Sequence, residues 1–207
     1  MVHCSGVDVS VFQGLISWPQ VKASGYSFAI AKATQGANYT DADFARNRDE
    51  ARAAGLIFGA YHYMNWPTDP IAQAKYFLSV YQPKNGDLPP ALDCEAFTLS
   101  PADTTAAIAA FLEVVEPHLG GSKMLLYMNW AAINEQSIVT DDFAGHPLWL
   151  AEYGPPTFDV PKTWRAPTIW QYTDTLQVGG IDGNVDGDLF LGTIEDIQAL
   201  TLKGIPA

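Results

Sequence analysis

The feature that most constrains the fold is the alternation of short apolar runs with amphipathic segments along residues 6–128. The runs are rich in β-branched and aromatic residues, which predicts strands, and the segments between them carry apolar residues at helical spacing. The clearest helix covers 100–115, because Ser100 and Pro101 form a start signal and an apolar stripe follows. Strands that alternate with helices predict an α/β fold with a parallel sheet.

About eight strands can be predicted, and their connections change character along the chain. Helical connections follow the early strands, whereas the connections after the fifth strand are shorter and few helices are expected there. This pattern favours a TIM-like (β/α) barrel with an abbreviated second half, and a doubly wound open sheet is the alternative. The predicted strands cover residues 6–10, 26–33, 56–63, 91–95, 124–128, 148–153, 168–172 and 185–190.

The sequence predicts a single domain. No internal repeat and no Gly-, Ser- or Pro-rich linker divides its 207 residues, so we expect a single domain over 1–207 with a core at about 4–192. The N-terminal residues carry neither a charged segment nor an apolar h-region, so no signal peptide is predicted.

Charge and cysteine content exclude several classes of partner. The formal net charge is −12, from 11 basic and 23 acidic residues, and no basic cluster occurs, so neither nucleic acid nor a membrane surface is an expected partner. No apolar run is long enough to cross a bilayer. Cys4 and Cys94 lack metal-ligand spacing, and we expect two free buried thiols, with a single disulfide as the alternative. The protein is expected to be a monomer.

Two carboxylates stand out in the segment 91–95. On a strand, residues two apart share a face, so Asp93 and Glu95 would point the same way with their backbones roughly 6.5–7 Å apart. Leu92 and Cys94 would take the opposite face, which suits packing under helices. The plain alternative is a strand end with two solvated acids.

The barrel prediction gives this pair two neighbours. The carboxyl ends of the strands meet at one mouth, so Asp8 and Asp186 should join Asp93 and Glu95 there. Four acids this close cannot all ionise cheaply, so at least one pKa should be raised, as a general acid near neutral pH requires. Asp188, two residues after Asp186, is expected to face solvent in a loop, as is Asp182.

Aromatic residues near the predicted strand ends suit the apolar faces of sugar rings, although about half of them are expected to be barrel filling and Trp170 above all. They are Tyr61, Tyr63, Trp66, Tyr127, Trp149, Trp170 and Tyr172. No two of the four histidines have ligand spacing, and only His62 lies on a strand near the site. We therefore expect neither a metal nor another cofactor.

An ordered set of motifs along essentially the whole chain resembles the family-25 glycoside hydrolases, the Chalaropsis-type lysozymes. The motifs are Gly6-Val7-Asp8-Val9-Ser10, Gln13-Gly14, Trp18 with Val21-Lys22, Lys32-Ala33-Thr34, Gly59-Ala60-Tyr61-His62, Leu92-Asp93-Cys94-Glu95, Leu148-Trp149-Leu150-Ala151, Trp170-Gln171-Tyr172 and Asn184-Val185-Asp186.

The resemblance implies a flattened, irregular barrel that hydrolyses the β-1,4 bond from N-acetylmuramic acid to N-acetylglucosamine in peptidoglycan, outside the cytoplasm. It implies that Glu95 is the proton donor, Asp93 its partner, and Asp8 and Asp186 supporting acids. The expected substrate-binding residues are Tyr61 and Tyr127, which the resemblance places at the sugar subsite, together with Tyr63, Trp66, Lys32 and Trp149.

Family members occur as phage lysins and as secreted enzymes, often with a separate wall-binding module, and no such module is visible in this sequence. Gln35 departs from the family, which often has Glu after the Lys-Ala-Thr run. We expect cleavage with net retention through the 2-acetamido group of the substrate. The alternatives are a non-catalytic carbohydrate-binding barrel, a metal-dependent barrel hydrolase, and a chitinase-like glycosidase.

Overall fold

The computed structural model describes residues 3–130, 143–154, 158, 160 and 164–206. Within these residues the chain forms nine strands and five α-helices. The strands are β1 Cys4–Val9, β2 Phe28–Gln35, β3 Tyr39–Thr40, β4 Ile57–Tyr63, β5 Ala91–Asp93, β6 Leu125–Asn129, β7 Leu148–Ala151, β8 Ile169–Leu176 and β9 Val185–Phe190. The helices are α1 Trp18–Ala23, α2 Phe44–Ala53, α3 Pro70–Val80, α4 Pro101–Val115 and α5 Ile194–Leu200.

Eight of the strands close into a barrel. Their order is β1-β9-β8-β7-β6-β5-β4-β2, and β1 also pairs with β2, which closes the ring. The short β3 pairs with β2 outside the ring. The predicted irregular barrel is thus confirmed, and the open-sheet alternative is wrong. The sequence after the fifth predicted strand also indicates a short helical piece from Trp130, and residues 131–142, where most of it would fall, lie outside the described residues.

The barrel is mixed, which corrects the prediction of a wholly parallel one. β9 runs antiparallel to both of its neighbours, β8 and β1, whereas the pairs from β1–β2 round to β7–β8 within the ring are parallel. The reason is the short connection between Leu176 and Val185. A parallel crossover needs about a dozen residues or more, so this connection can only return the chain as a hairpin-like pair.

Strand alternation divides the apolar residues into two cores. On β2, Ala29 and Ala31 face outward to the helices, and Phe28 and Ile30 fill the barrel interior. The interior is tightly filled, because a Cβ on Gly6 would lie 2.3 Å from the Phe28 ring. Glycine at this position lets β1 pass the ring.

The inner face changes from apolar to polar along the strands, and this change positions the site. Phe28 and Ile30 are followed on the same face of β2 by Lys32, and Ala91 is followed on β5 by Asp93. On β9, which runs the other way, Asp186 and Asp188 precede Phe190. Each strand therefore contributes apolar filling at one end of the barrel and polar groups at the other.

The packed region extends past residue 192, the predicted end of the core. Ile197 on α5 and Leu202 beyond it are both fully buried. The helix predicted over 100–115 is confirmed, since Ser100 caps α4 by accepting a hydrogen bond from the amide of Asp103.

Cys4 and Cys94 are free and buried, as predicted. In the described parts of the chain, no helix is long and apolar enough to cross a membrane.

Candidate active site

A cleft of about 230 Å³ opens where the polar ends of the inner faces meet. It brings together the four acids predicted from the sequence, which are contributed by strands far apart in the chain. The described residues that line it are Asp8, Val9, Ser10, Phe12, Gln13, Lys32, Tyr61, Tyr63, Asp93, Glu95, Tyr127, Trp149, Gln171 and Asp186.

Asp93 and Glu95 both reach the cleft, but not as two residues of one strand. β5 ends at Asp93, and Glu95 lies in the loop that follows. Neighbouring segments hold this loop: the Cys94 amide donates to the Tyr127 carbonyl at 2.9 Å, and Trp66 Nε1 donates to the Glu95 carbonyl at 2.5 Å. These backbone contacts therefore hold Glu95 at the cleft, where the sequence predicted that strand pairing would hold it.

The environments of the two acids differ. Asp93 is 6 % exposed, and its Oδ1 finds no hydrogen-bond donor among the described residues. Burial, followed by the charge of Glu95, holds the pKa of Asp93 well above its usual range. Burial also raises the pKa of the half-buried Glu95, while Lys32 and a hydrogen bond from Tyr63 act in the opposite direction. The free cleft therefore favours retaining protons on this pair.

Gln171 connects the other side of the cleft. Its Nε2 donates to Asp8 Oδ2 at 2.7 Å, and its Oε1 accepts from the hydroxyls of Tyr127 at 3.0 Å and Tyr153 at 2.9 Å. The amide is 2 % exposed and is satisfied on both ends. One buried side chain thus fixes an acid and two tyrosines relative to one another.

The prediction that Asp188 faces solvent in a loop is wrong. Asp188 is a fully buried residue of β9. Its Oδ1 accepts from Trp149 Nε1 at 2.8 Å, and its Oδ2 meets no other donor among the described residues. Burial raises the pKa of Asp188 to about 7, and burial with the charges of Asp188 and Asp186 raises that of Asp8 well above its usual range. Side-chain hydrogen bonding between Asp8 and Asp188 also affects the pKa of both carboxyls, and two facing carboxyls can form such a bond when they hold one proton between them.

Asp186 completes this group of acids. It lies directly opposite Asp8 in the antiparallel register and is half-buried at the cleft. Burial raises its pKa to about 6. Asp182, in contrast to Asp188, is exposed, as the sequence predicted.

Four of the predicted aromatic residues line the cleft: Tyr61, Tyr63, Tyr127 and Trp149. Trp149 forms its floor, since it is 2 % exposed and packs edge-on against Tyr127, with 4.7 Å between ring centroids.

The other three aromatics, Trp66, Trp170 and Tyr172, are not among the described residues that line the cleft. Trp66 supports the Glu95 backbone from behind, and Trp170 packs edge-on against Phe158 at 5.3 Å.

Lys32 is the one cationic side chain among the described residues that line the cleft. Its Nζ donates to Gln35 Oε1 at 2.7 Å and lies 4.7 Å from the centroid of the Tyr63 ring. Burial lowers its pKa, while Asp93 and Glu95 counteract this effect. The departure at Gln35 therefore leaves the Lys32 charge facing the acids without a carboxylate partner at residue 35.

Sequence reasoning assigned no site role to Gln171, Asp188 or Phe12. Alternation on β9 could have placed Asp188 on the face of Asp186, and alternation on β8 places Gln171 on the inner face with Ile169. No comparable signal marks Phe12, because it lies in a turn.

The described residues include no group of three or more His, Cys, Asp or Glu side chains arranged to hold a metal ion. His62 is buried on the outer side of β4, between Thr34 Oγ1 at 2.7 Å and Gln73 Oε1 at 3.2 Å. Burial lowers its pKa to about 4, so it is a neutral core residue.

Comparison with known proteins identifies relatives along almost the whole chain. The family model described as glycosyl hydrolases family 25 matches residues 7–181. The chain is 32 % identical to lysozyme M1 of Streptomyces globisporus, over 94 % of this chain and 70 % of that protein. It is 31 % identical to the N,O-diacetylmuramidase of Chalaropsis, over 89 % of this chain and 94 % of that protein.

Solved structures show the same fold. The crystal structure of a bacterial lysozyme from Streptomyces coelicolor superposes with a TM-score of 0.89 and 33 % identity, covering 97 % of this chain and 98 % of that one. The sequence match, the shared barrel and the acidic cleft agree with the resemblance drawn from the motifs. The chain belongs to glycosyl hydrolases family 25.

Proposed function

We propose that this protein is a lysozyme that cleaves the β-1,4 bond between N-acetylmuramic acid and N-acetylglucosamine in peptidoglycan. Membership of family 25 and the lysozyme and muramidase relatives support the reaction class. The observation that carries the proposal is the pair of Asp93 and Glu95 in one cleft, one acid buried and the other half-buried. Two carboxyl groups in different environments are what glycosidic hydrolysis needs.

Glu95 is the general acid in this proposal. Its raised pKa keeps it protonated nearer to neutral pH, so it can donate a proton to the glycosidic oxygen as the bond breaks. Its partial exposure leaves room for the leaving sugar and later for water. Glu95 then acts as the base that deprotonates this water.

Asp93 orients the 2-acetamido group of the substrate. Asp93 lines the cleft, so its carboxylate can accept the acetamido N–H, which turns the carbonyl oxygen toward the anomeric carbon. This oxygen attacks as the leaving oxygen takes the proton of Glu95, and water then attacks the same carbon and releases the acetamido oxygen. The N–H donor favours ionised Asp93, so substrate binding shifts the proton of the pair toward Glu95.

The supporting roles follow from the hydrogen bonds. Asp8 orients Gln171 on the opposite wall, and Asp186, which lies opposite Asp8, adds negative charge there. The sugar rings are bound by Lys32 together with Tyr61, Tyr63, Tyr127 and Trp149. Trp66 acts indirectly, by holding the Glu95 backbone.

The assembly and place of action are also proposals. We propose that a monomer acts on the cell wall outside the cytoplasm and that the chain is a single domain. The closed ring supports the monomer, because each of its eight strands is paired on both sides, and the open edge that remains in the described sheet belongs to the two-residue β3.

The experiment is clearing of a bacterial cell-wall suspension by the protein and by Glu95→Gln, an isosteric change that removes the transferable proton. We expect clearing by the parent and a loss of at least about a hundredfold in the variant. Equal clearing by both would refute the assignment, and clearing that EDTA abolishes would favour a metal enzyme.

Two product analyses distinguish the related alternatives. Reducing ends that are only N-acetylglucosamine would indicate a chitinase-like bond preference. Proton NMR of the first-formed anomer tests the mechanism, because acetamido participation gives net retention and an initial β product. An initial α product would instead make Asp93 the base that activates water.

A further inference from the structure

The turn after β1 presents an aromatic ring at the rim of the cleft. Phe12 is 89 % exposed, yet it lines the same cleft as Asp8 and Asp186. A single exposed apolar side chain is common on protein surfaces and needs no explanation by itself. The way its backbone is held makes this one different.

The Phe12 turn is fixed from several directions. The Phe12 amide donates to Ser10 Oγ at 3.3 Å, and the Ser10 amide donates to Gln13 Oε1 at 2.9 Å, which forms a capping box. The Val11 amide donates to Asp41 Oδ2 at 2.9 Å.

The end of the turn is held as well. Arg46 Nη2 donates to the Gly14 carbonyl at 2.6 Å, and Gln13 Nε2 donates to the Asn184 carbonyl at 3.4 Å. A turn with this many contacts fixes the backbone that carries the ring, so only the side-chain torsions of Phe12 need ordering when a ligand binds.

We propose that Phe12 is a stacking platform for a sugar ring of the bound glycan. The ligand class is a β-1,4-linked N-acetylhexosamine chain, so this inference rests on the proposed function. A pyranose ring has an apolar C–H face and polar edges. Phe12 offers one apolar face, and Ser10, Gln13 and Asp186 supply polar groups beside it in the same cleft.

The surroundings favour a glycan over a protein partner. A protein-binding surface usually needs a contiguous apolar patch of a few hundred Å². Leu15 is also 78 % exposed, but it lines a separate shallow depression with Gln20 and Asp182 rather than the cleft. Phe12 is instead continuous with the acidic cleft.

The test compares Phe12→Ala and Phe12→Trp with the control Leu15→Ala, using solubilised peptidoglycan strands. Phe12→Ala should raise KM about threefold to tenfold, with kcat within about twofold of the parent, because a stacking contact away from the reacting bond is lost. Phe12→Trp should keep the parent KM, since it keeps an aromatic face. Leu15→Ala should leave both constants unchanged.

Binding in a Glu95→Gln background separates this proposal from the proposed function. There, Phe12→Ala should weaken the Kd for the same strands by about the same threefold to tenfold, without any need for turnover. An unchanged Kd, or an equal weakening by Leu15→Ala, would overturn the platform. A weakened Kd with no turnover by the parent would support the platform and contradict the lysozyme assignment.

Discussion

Asp188→Asn should remove a pH dependence of stability that the buried acids create. Asparagine has the shape of aspartate, so its Oδ1 can still accept from Trp149 Nε1, and its amide can replace the proton in a hydrogen bond to Asp8. The substitution therefore deletes a titrating group and keeps the packing. Its effect on stability should come from protons rather than from a cavity.

The sign and size follow from the pKa of Asp188. Burial raises this pKa to about 7, whereas an unfolded aspartate titrates near 3.9. Between these values the folded protein holds a proton that the unfolded chain has released, so the free energy of unfolding falls as pH rises. A difference of about three pH units corresponds to about 4 kcal/mol lost between about pH 4 and pH 7.

Urea unfolding at pH 4.5 and pH 7.5 measures this loss in both proteins. Since the unfolded group is already mostly ionised at pH 4.5, we expect the parent to lose about 3 kcal/mol more than Asp188→Asn over this interval. Asp182→Asn is the control, because Asp182 lies on the preceding connection and is exposed. Parallel pH dependences of the parent and Asp188→Asn would refute the shared proton, as would an equal effect of the control.

Two further predictions concern ion pairs: the first compares a buried pair with an exposed pair, and the second adds a pair at Lys32. Asp87, which is 4 % exposed, accepts four hydrogen bonds, two of them from Arg52, so Asp87→Ala should cost about 3–5 kcal/mol and lower Tm by about 6–20 °C. Asp49→Ala removes an equally bidentate but exposed pair and should cost about 1 kcal/mol or less, and equal Tm shifts in calorimetry would contradict this reasoning. Gln35→Glu places a carboxylate against Lys32 and adds negative charge beside the general acid, so the alkaline limb of kcat/KM should move up by about 0.5–1 pH unit. A limb that stays in place or moves to lower pH would show that Lys32 does not tune the acid.

Much of the fold could be predicted because it depends on local pattern. The helix over 100–115 has its own cap and apolar stripe, and the alternation of strands and helices determines a barrel-like layer order. The sequence pattern did not predict that β9 runs antiparallel to its neighbours. This direction depends on the length of one connection, between Leu176 and Val185, which periodicity does not report.

The candidate site divides in the same way. Asp8, Asp93, Glu95 and Asp186 could be grouped because parallel strands present their carboxyl ends at one mouth. Alternation along 185–190 places Asp188 on the face of Asp186, but its burial against Trp149 depends on a neighbour distant in sequence.

The sequence by itself determined the α/β class, the family resemblance and the set of four acids, since each depends on periodicity or on motif order along the chain, whereas the closure of the sheet into a barrel was decided by the β1–β2 pairing. Only the tertiary structure decided that Glu95 lies beyond its strand and that Asp188 is buried against Trp149. It also decided that Phe12 stands exposed at the rim. The physical reason is that burial, proton sharing and loop position arise from neighbours distant in sequence, whereas strand and helix periods repeat within a few residues.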